Sequence, residues 1–408
     1  MIRFVHVSDI HFGMENYGKI DHKTGIHTRL LDFYDALNFC IDTAISQDVD
    51  FFLFAGDAYK TAHPSPTQQR LLFDCFLRLF KANIPIVIVV GNHDNPLSYG
   101  KAHALDLFGQ LPIHGFHVIA RPSSLRIITK RGPIQIVGIP WPSRTTIALH
   151  ASHVYTTAAD VASYMSQAVT TIIEEYAEAL NQEEPAVLVA HLTVSSGIFS
   201  GSEKRAIYGA DPLFMPSHLT IPPFDYVALG HLHRHQNLNP EGTPLVYAGS
   251  IERIDFGERK EDKGFCLVTI EDKNNTHYEF IKTPTRPLIQ IDTHLETTHS
   301  QTEQIIEAIK KHTLEDAILK IVYHLEPGMK DRVDLALIQQ ACAPAHYMVG
   351  IFPIRPPEQR ERRLALKVTM HLTELLTAYF QTKPEWKHKQ AKLIERALEL
   401  EAELANLE

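Results

Sequence analysis

One short stretch constrains the fold of this chain more than any other: an apolar run over residues 84–90 that ends in Gly91, Asn92, His93 and Asp94. A run of Ile and Val bounded by Pro85 and Gly91 is typical of a strand covered on both faces. Open α/β sheets place their chemistry at the carboxyl ends of such strands. Asn92 and His93 are therefore candidates for a functional site, although this tetrapeptide alone is equally consistent with an ordinary turn.

Four further predicted strands end in polar side chains of the same kind. They cover residues 2–7, 51–54, 186–189 and 226–229, and they are followed by Asp9 and His11, by Asp57, by His191, and by His231 and His233. Each junction alone has a plainer interpretation: a capping Asp beside a surface His, a Gly-Asp turn, or a structural His. Independent turns rarely produce the whole set. Two carboxylates with several imidazoles suit a pair of divalent transition ions, whose positive charge would attract a phosphate.

The segments between and beyond these strands predict an alternating α/β chain. Helical spacing of apolar residues indicates helices over residues 30–44, 71–79 and 161–180, and further apolar runs indicate strands over 134–139, 245–248 and 265–270. Residues 258–263 alternate in charge, which is typical of a solvated hairpin and less often of a substrate contact. We assign that hairpin no chemistry.

Composition limits the cellular setting and the kind of partner. A chain of 408 residues is longer than one hydrophobic core usually accommodates, so we expect two or three domains. With 39 basic against 48 acidic residues the net charge is −9, so any contact with nucleic acid must be a local patch. Four scattered cysteines and the lack of a signal sequence or a membrane-length apolar run predict a cytoplasmic protein that does not enter the membrane.

In order and in strand context, the five junctions resemble the motifs of the calcineurin-like metallophosphoesterases: Asp-x-His, Gly-Asp, Gly-Asn-His-Asp, a lone His and Gly-x-His. A narrower resemblance is to the SbcD-type nuclease subunits of DNA repair, and it is carried by the following residues: His11-Phe12-Gly13, Glu15 to Gly18, Phe224 to Gln236, and Gly249 to Arg253. The resemblance implies a two-layered β-sandwich flanked by helices, and manganese-dependent exonuclease and endonuclease activity. One departure is Lys60, which stands where archaeal relatives carry a His.

The same resemblance implies a role for each candidate residue. Asp9, His11 and His233 would hold one metal ion, Asn92, His191 and His231 would hold the other, and Asp57 would bridge them. His93 would be the catalytic residue that contacts the scissile phosphate. Asp94 would orient His93, although a helix cap is an equally good interpretation of Asp94. The cofactor would be two divalent ions, Mn²⁺ above all.

The domains that we predict are a nuclease domain over 1–285, an α+β capping or DNA-binding domain over 286–354, a basic linker over 355–370 and a helical docking segment over 371–408. Apolar stripes in the last segment recur at helix-docking spacing. By resemblance they would bind an SbcC-like coiled-coil ATPase; a homodimer is a further expectation.

Two other functions stay open: a small-molecule phosphodiesterase or phosphatase, which fits the acidic charge, and a scaffold without catalysis.

Overall fold

The computed structural model describes residues 1–95, 102–110, 115–143, 157–201, 211–355 and 370–405. The strands are β1 Ile2–Val7, β2 Phe51–Phe54, β3 Ile86–Val89, β4 Phe116–Ile119, β5 Ser123–Thr129, β6 Gly132–Ile139, β7 Ala186–His191, β8 Thr193–Val194, β9 Leu213–Phe214, β10 Tyr226–Gly230, β11 Gln236–Asn237, β12 Leu245–Tyr247, β13 Gly264–Asp272, β14 Asn275–Lys282, β15 Leu288–His294, β16 Ile318–His324 and β17 Tyr347–Ile354. The α-helices are α1 Thr28–Ser46, α2 Pro66–Lys81, α3 Asp106–Gln110, α4 Ala158–Ala179, α5 Gln301–Ile309, α6 Leu335–Ala341, α7 Leu372–Gln381 and α8 Gln390–Ala405. Short 3₁₀ turns cover Pro216–His218, Phe256–Glu258 and Pro384–Lys389.

Two six-stranded mixed sheets form the main body. The first has the strand order β14-β13-β1-β2-β3-β4, and the second has the order β11-β12-β10-β7-β6-β5. Strands β1 to β4 run parallel, and so do β6, β7, β10 and β12, whereas β5, β11, β13 and β14 pair antiparallel with their neighbours. Because parallel strands share a direction, their carboxyl ends meet at one edge of each sheet.

The alternation of side chains along the strands explains why two sheets stack with helices outside. In β1 and β2, Phe4 and Leu53 pack against residues of the second sheet in a shared core. Their neighbours Val5 and Phe52 face the opposite side, where they pack with residues of α1 and α2. Helix α4 covers the outer face of the second sheet through residues such as Ile173. The predicted fold class, a two-layered sandwich flanked by helices, is confirmed.

Strands β4, β5 and β14, and the two-residue strands β8, β9 and β11, were not predicted from the sequence. In β5 and β14 exposed and partly buried residues alternate, because these strands lie at the edges of the sandwich. An apolar run is the signal of a central strand, so it does not find a half-exposed edge strand. The central strands and helices α1, α2 and α4 lie where the sequence predicts them, with bounds that differ by a few residues, whereas the short helix α3 was not predicted.

A three-stranded sheet of order β15-β16-β17 follows, with helices α5 and α6 in the chain between its strands. The predicted order of strand, helix, strand, helix and strand is confirmed. Phe256 from the main body packs with Leu288 and Ile318 in a small core, and Tyr17 and Tyr347 lie against it. The boundary at residue 285 stays a prediction.

The chain divides into two compact units, residues 1–323 with 332–352, and residues 324–331 with 353–408. The second unit contains α7 and α8, which contact each other. Most of the predicted basic linker, residues 356–369, lies outside the described residues. Within the described ranges no helix has both the length and the hydropathy needed to span a bilayer. All four cysteines are buried and unpaired.

Candidate dimetal centre

The carboxyl ends of β1, β2, β3, β7 and β10 bring all the predicted site residues to one place. The loops are tied to one another by their backbones: the Asp9 N–H donates to the Gly56 carbonyl at 3.0 Å, and the His11 N–H donates to the Asp57 carbonyl at 3.0 Å. The His231 N–H donates to the Asp9 carboxylate at 3.1 Å. Hydrogen bonds across loops therefore fix residues that lie more than 200 positions apart in the chain.

The first group of potential ligands consists of Asp9, His11 and His233. One ligand atom from each lies within 4.8 Å of the others, and all three side chains are buried. The Nε2 atoms of His11 and His233 are 3.0 Å apart. Nε2 of His11 also lies 3.9 Å from the Asp9 carboxylate. This is the set that resemblance assigns to one ion.

The second group converges on the side-chain oxygen of Asn92. Oδ1 of Asn92 lies 2.9 Å from Nε2 of His191 and 3.1 Å from Nδ1 of His231. Asp57 stands between the two groups, because its Oδ2 is 3.4 Å from Nε2 of His191 and 3.8 Å from Nε2 of His11. That position is the one a bridging carboxylate needs.

Protonation in this cluster follows from burial and from Asp57. Burial lowers the pKa of His11 and His231 well below the ordinary value of a histidine, so both rings are neutral and offer a lone pair at neutral pH. Burial also opposes protonation of His191, but the adjacent Asp57 carboxylate raises the pKa of His191 to about 9. Burial would raise the pKa of Asp57, yet the neighbouring histidines, His191 first, lower it below its usual range.

These observations test whether the residues fit metal ions. Two imidazole Nε2 atoms face each other at 3.0 Å inside a buried group that also contains a carboxylate. A set of imidazole, carboxylate and amide donors, buried or half-buried, is the ligand type that first-row divalent ions take. The donor set fits two divalent metal ions.

His93 stands apart from the buried ligands because its side chain is exposed. A ring nitrogen of His93 still lies within 4.8 Å of ligand atoms of His11 and Asp57. Its Nδ1 is 2.8 Å from the carbonyl of Lys60, and its backbone N–H donates to Oδ1 of Asp57 at 2.9 Å. The His93 ring is therefore oriented at the open side of the cluster by the main chain of Lys60, whose side chain is exposed.

Asp94 is placed differently from the expectation that it orients His93 or caps a helix. It is buried, its Oδ2 accepts from the N–H groups of Asp57 and Gly91 at 2.9 and 3.1 Å, and its Oδ1 accepts from the N–H of Tyr59 at 3.1 Å. Among the hydrogen bonds of the described residues, none joins Asp94 to the His93 ring. Asp94 instead ties the loop after β3 to the loop after β2.

The backbone around the cluster is strained and closely packed. Asp9, His11 and Asp57 have φ values of 53°, 52° and 61°, a left-handed conformation that is rare for residues other than Gly. A Cβ atom on Gly91 would lie 2.1 Å from Oδ1 of Asp57, so only Gly fits there. Such strain at the residues of one cluster indicates that their positions serve a function.

Two residues near the centre were missed by the sequence analysis. Glu258, expected in a solvated hairpin, is fully buried, and its Oε1 accepts from Nδ1 of His233 at 2.9 Å. Trp141 follows β6, and its ring centroid lies 4.8 Å from that of His231. Trp141 follows the predicted strand 134–139, so its place at a strand end could have made it a candidate. No local pattern could have indicated that Glu258 is buried.

The chain matches a known protein family. The family model of the calcineurin-like phosphoesterases matches residues 2–235. Among solved structures, TT1561 of Thermus thermophilus is 12% identical with a TM-score of 0.38, and the alignment covers 68% of this chain and 98% of that one. A dimetal phosphatase from Danio rerio is 10% identical with a TM-score of 0.39, with 69% and 99% covered. Because the family model spans more than half of the chain and includes all five ligand-bearing strand ends, this chain belongs to the calcineurin-like metallophosphoesterase family.

Proposed function

We propose that the chain is a two-metal-dependent DNA nuclease of the SbcD type, with exonuclease and endonuclease activity, that acts as the nuclease subunit of an SbcCD-like DNA repair and recombination complex. The observation that carries the hydrolytic part is the exposed His93 at the open side of a cluster of buried Asp and His side chains. The SbcD-like motifs over residues 11–18 and 224–253, and the α+β unit beyond the sandwich, support DNA as the substrate.

In this proposal Asp9, His11 and His233 hold one ion, Asn92, His191 and His231 hold the other, and Asp57 holds both. Two bound divalent ions, Mn²⁺ by resemblance, would supply a water of lowered pKa and positive charge for the phosphodiester. Five of the six ligands that do not bridge, the imidazoles and the amide, carry no negative charge. The site therefore retains net positive charge for an anionic substrate.

His93 contacts the substrate in this proposal. Its Nδ1 is engaged by the Lys60 carbonyl, so Nε2 is the nitrogen left for the phosphate. In the neutral ring Nε2 accepts a hydrogen bond, and once the ring carries a second proton Nε2 can donate a hydrogen bond to a phosphate oxygen or a proton to the leaving oxygen. Asp94 supports the site without contacting the substrate, because it holds together the two loops that carry Asp57 and His93.

The experiment is a nuclease assay on EDTA-treated protein to which Mn²⁺ is restored. End-labelled linear duplex DNA reports exonuclease activity, closed circular single-stranded DNA reports endonuclease activity, and bis(p-nitrophenyl) phosphate reports hydrolysis of a small phosphodiester. We expect Mn²⁺-dependent cleavage of both DNA substrates. Hydrolysis of the small ester without cleavage of either DNA would favour the small-molecule phosphodiesterase, and no hydrolysis with any substrate would favour the scaffold.

The partner in this proposal is an SbcC-like coiled-coil ATPase that docks on residues 371–408. Supporting it, Leu393, Leu400 and Leu404 of α8 are 38%, 45% and 66% exposed at heptad spacing. Burial of such side chains favours association by roughly 1.5 to 3 kcal/mol each before the costs of binding. Leu400→Asp with Leu404→Asp should abolish co-purification with the ATPase subunit and leave hydrolysis of bis(p-nitrophenyl) phosphate unchanged.

The matched control is Leu335→Asp, since Leu335 is 50% exposed on α6 in the other compact unit. This variant should pair normally with the ATPase subunit. Normal pairing by the α8 variant would remove the basis for the docking segment. Loss of pairing by the control as well would show that the assay reports surface charge and not a specific site.

A further inference from the structure

The residue His233 is held at both its ring and its backbone by one buried ion pair. Glu258 is fully buried at the end of the Phe256–Glu258 turn, and its Oε1 accepts a hydrogen bond from Nδ1 of His233 at 2.9 Å. Lys263 is 2% exposed, and its Nζ donates to the main-chain carbonyl of His233 at 2.9 Å. The two charged groups lie 2.9 Å apart, through Oε2 of Glu258.

The carboxylate of Glu258 has no freedom to turn away from His233. Its Oε2 accepts from the Ile254 N–H at 2.9 Å as well as from Lys263, which leaves Oε1 for the imidazole. The turn itself is anchored at its start, where Phe256 is buried against Leu288 and Ile318. Glu258 therefore reaches His233 from a fixed support.

We propose that Glu258 is a positioning residue for the metal centre: it keeps the proton of the His233 ring on Nδ1 and so leaves the lone pair of Nε2 for the ion shared with Asp9 and His11. Lys263 holds the main chain of the same residue. This inference rests on the dimetal assignment made under the proposed function. Glu258 belongs to no family motif and lies in the 3₁₀ turn Phe256–Glu258, and it would act on one of the two ions.

The hydrogen-bond partners of Glu258 predict how its replacement by a neutral residue affects His233. In Glu258→Gln, the amide oxygen is drawn to the Ile254 N–H, and the amide NH₂ then faces Nδ1 of His233. The ring can accept from that NH₂ only with its proton on Nε2, where the ion needs a lone pair. A partner of this kind, hydrogen-bonded to a ligand, typically contributes about 10- to 100-fold to metal affinity.

The test uses two matched pairs of substitutions in the full-length chain. The first is Glu258→Gln with Lys263→Met, which removes both charges of this pair. Glu261, whose Oε2 lies 3.1 Å from Nζ of Lys263, is 17% exposed in its side chain and still accepts a hydrogen bond from Oγ of Ser200 in this variant. The control is Asp225→Asn with Lys273→Met, because Asp225 is a buried carboxylate 3.2 Å from Lys273 at the opposite end of β10 from the histidines. Calorimetric titration of EDTA-treated protein with Mn²⁺ measures each affinity, electron paramagnetic resonance distinguishes coupled from isolated Mn²⁺, and thermal unfolding without metal measures the fold.

We expect the wild type and the control to bind two ions and to show the signal of a coupled Mn²⁺ pair. The Glu258 and Lys263 variant should bind one ion normally and the other about 10- to 100-fold more weakly, with the signal of an isolated ion at limiting Mn²⁺. Unchanged binding of both ions, or equal weakening of both, would overturn the positioning role. If this variant does not fold, Glu258→Asp decides: it keeps the charge beside Lys263 but withdraws the carboxylate from His233, so it must show the same selective loss.

The wild-type arm separates this inference from the proposed function. Wild-type protein that binds fewer than two ions overturns both. Wild-type protein that binds two ions beside a variant that also binds two with unchanged affinity overturns the role of Glu258 alone and leaves the dimetal proposal intact.

Discussion

The substitution His93→Ala separates catalysis from metal binding. The proposed ligands that lie deepest in the cluster, Asp9, Asp57 and His191, are at most 1% exposed, whereas the His93 side chain is exposed. Removal of an exposed ring opens no cavity, so the fold should persist. The contact to Asp57 should persist too, because it is made by the backbone N–H of residue 93, which Ala retains.

Loss of a general acid or base typically lowers a rate by about 10² to 10⁴, which corresponds to about 3 to 5 kcal/mol of transition-state stabilisation. We therefore expect His93→Ala to bind two Mn²⁺ per chain and to bind DNA normally, with phosphodiester turnover lowered on that scale. The assay pairs metal analysis of the gel-filtered protein with single-turnover cleavage of end-labelled duplex DNA. His277→Ala is the control, since His277 is exposed on the edge strand β14. A variant with one ion instead of two would make His93 a ligand, and unchanged turnover would refute its catalytic role.

Three further predictions follow from the contacts of single residues. Asp57→Asn should lower both metal content and turnover, because one carboxylate serves both groups; two retained ions with near-normal turnover would contradict the bridging role. Gly91→Ala should lower turnover by about 10²-fold or more, since its Cβ would displace Asp57, whereas Gly109→Ala, with its nearest contact at 3.5 Å, should be tolerated; equal activities of the two variants would contradict this. Burial lowers the pKa of His6 from 6.5 to about 3 in the folded chain. Below pH 6.5 the unfolded chain therefore binds a proton at His6 that the folded chain does not bind, and the free energy of unfolding decreases as the pH falls. Urea unfolding in EDTA should show wild type losing about 1.4 kcal/mol per pH unit more than His6→Gln between about pH 6 and 4, and parallel profiles would contradict this.

The sequence predicted the ligand-bearing strand ends because their signal is local. Asp9, Asp57 and His191 each follow a short apolar strand directly, and the direction shared by parallel strands brings such ends together. The family motif then supplied roles that geometry alone leaves open. The same reasoning placed the central strands of both sheets, since burial on both faces requires continuous apolar runs.

What the sequence did not predict depends on partners distant in the chain. Alternating charge over residues 258–263 is the pattern of an exposed hairpin, but Glu258 is buried because it meets His233, 25 positions earlier. Asp94 lies next to His93 in sequence, yet its carboxylate binds N–H groups 35 and 37 positions away, at Tyr59 and Asp57. No pattern within a short window carries such pairings.

The most direct test of a two-metal nuclease is a titration of EDTA-treated wild-type protein with Mn²⁺ in which the number of bound ions and the cleavage of linear duplex DNA are measured in the same samples. We expect two ions per chain, no cleavage of DNA without metal, and cleavage that rises as the second ion binds. Cleavage that reaches its maximum with one ion bound, or two bound ions with no cleavage of DNA, would contradict this expectation.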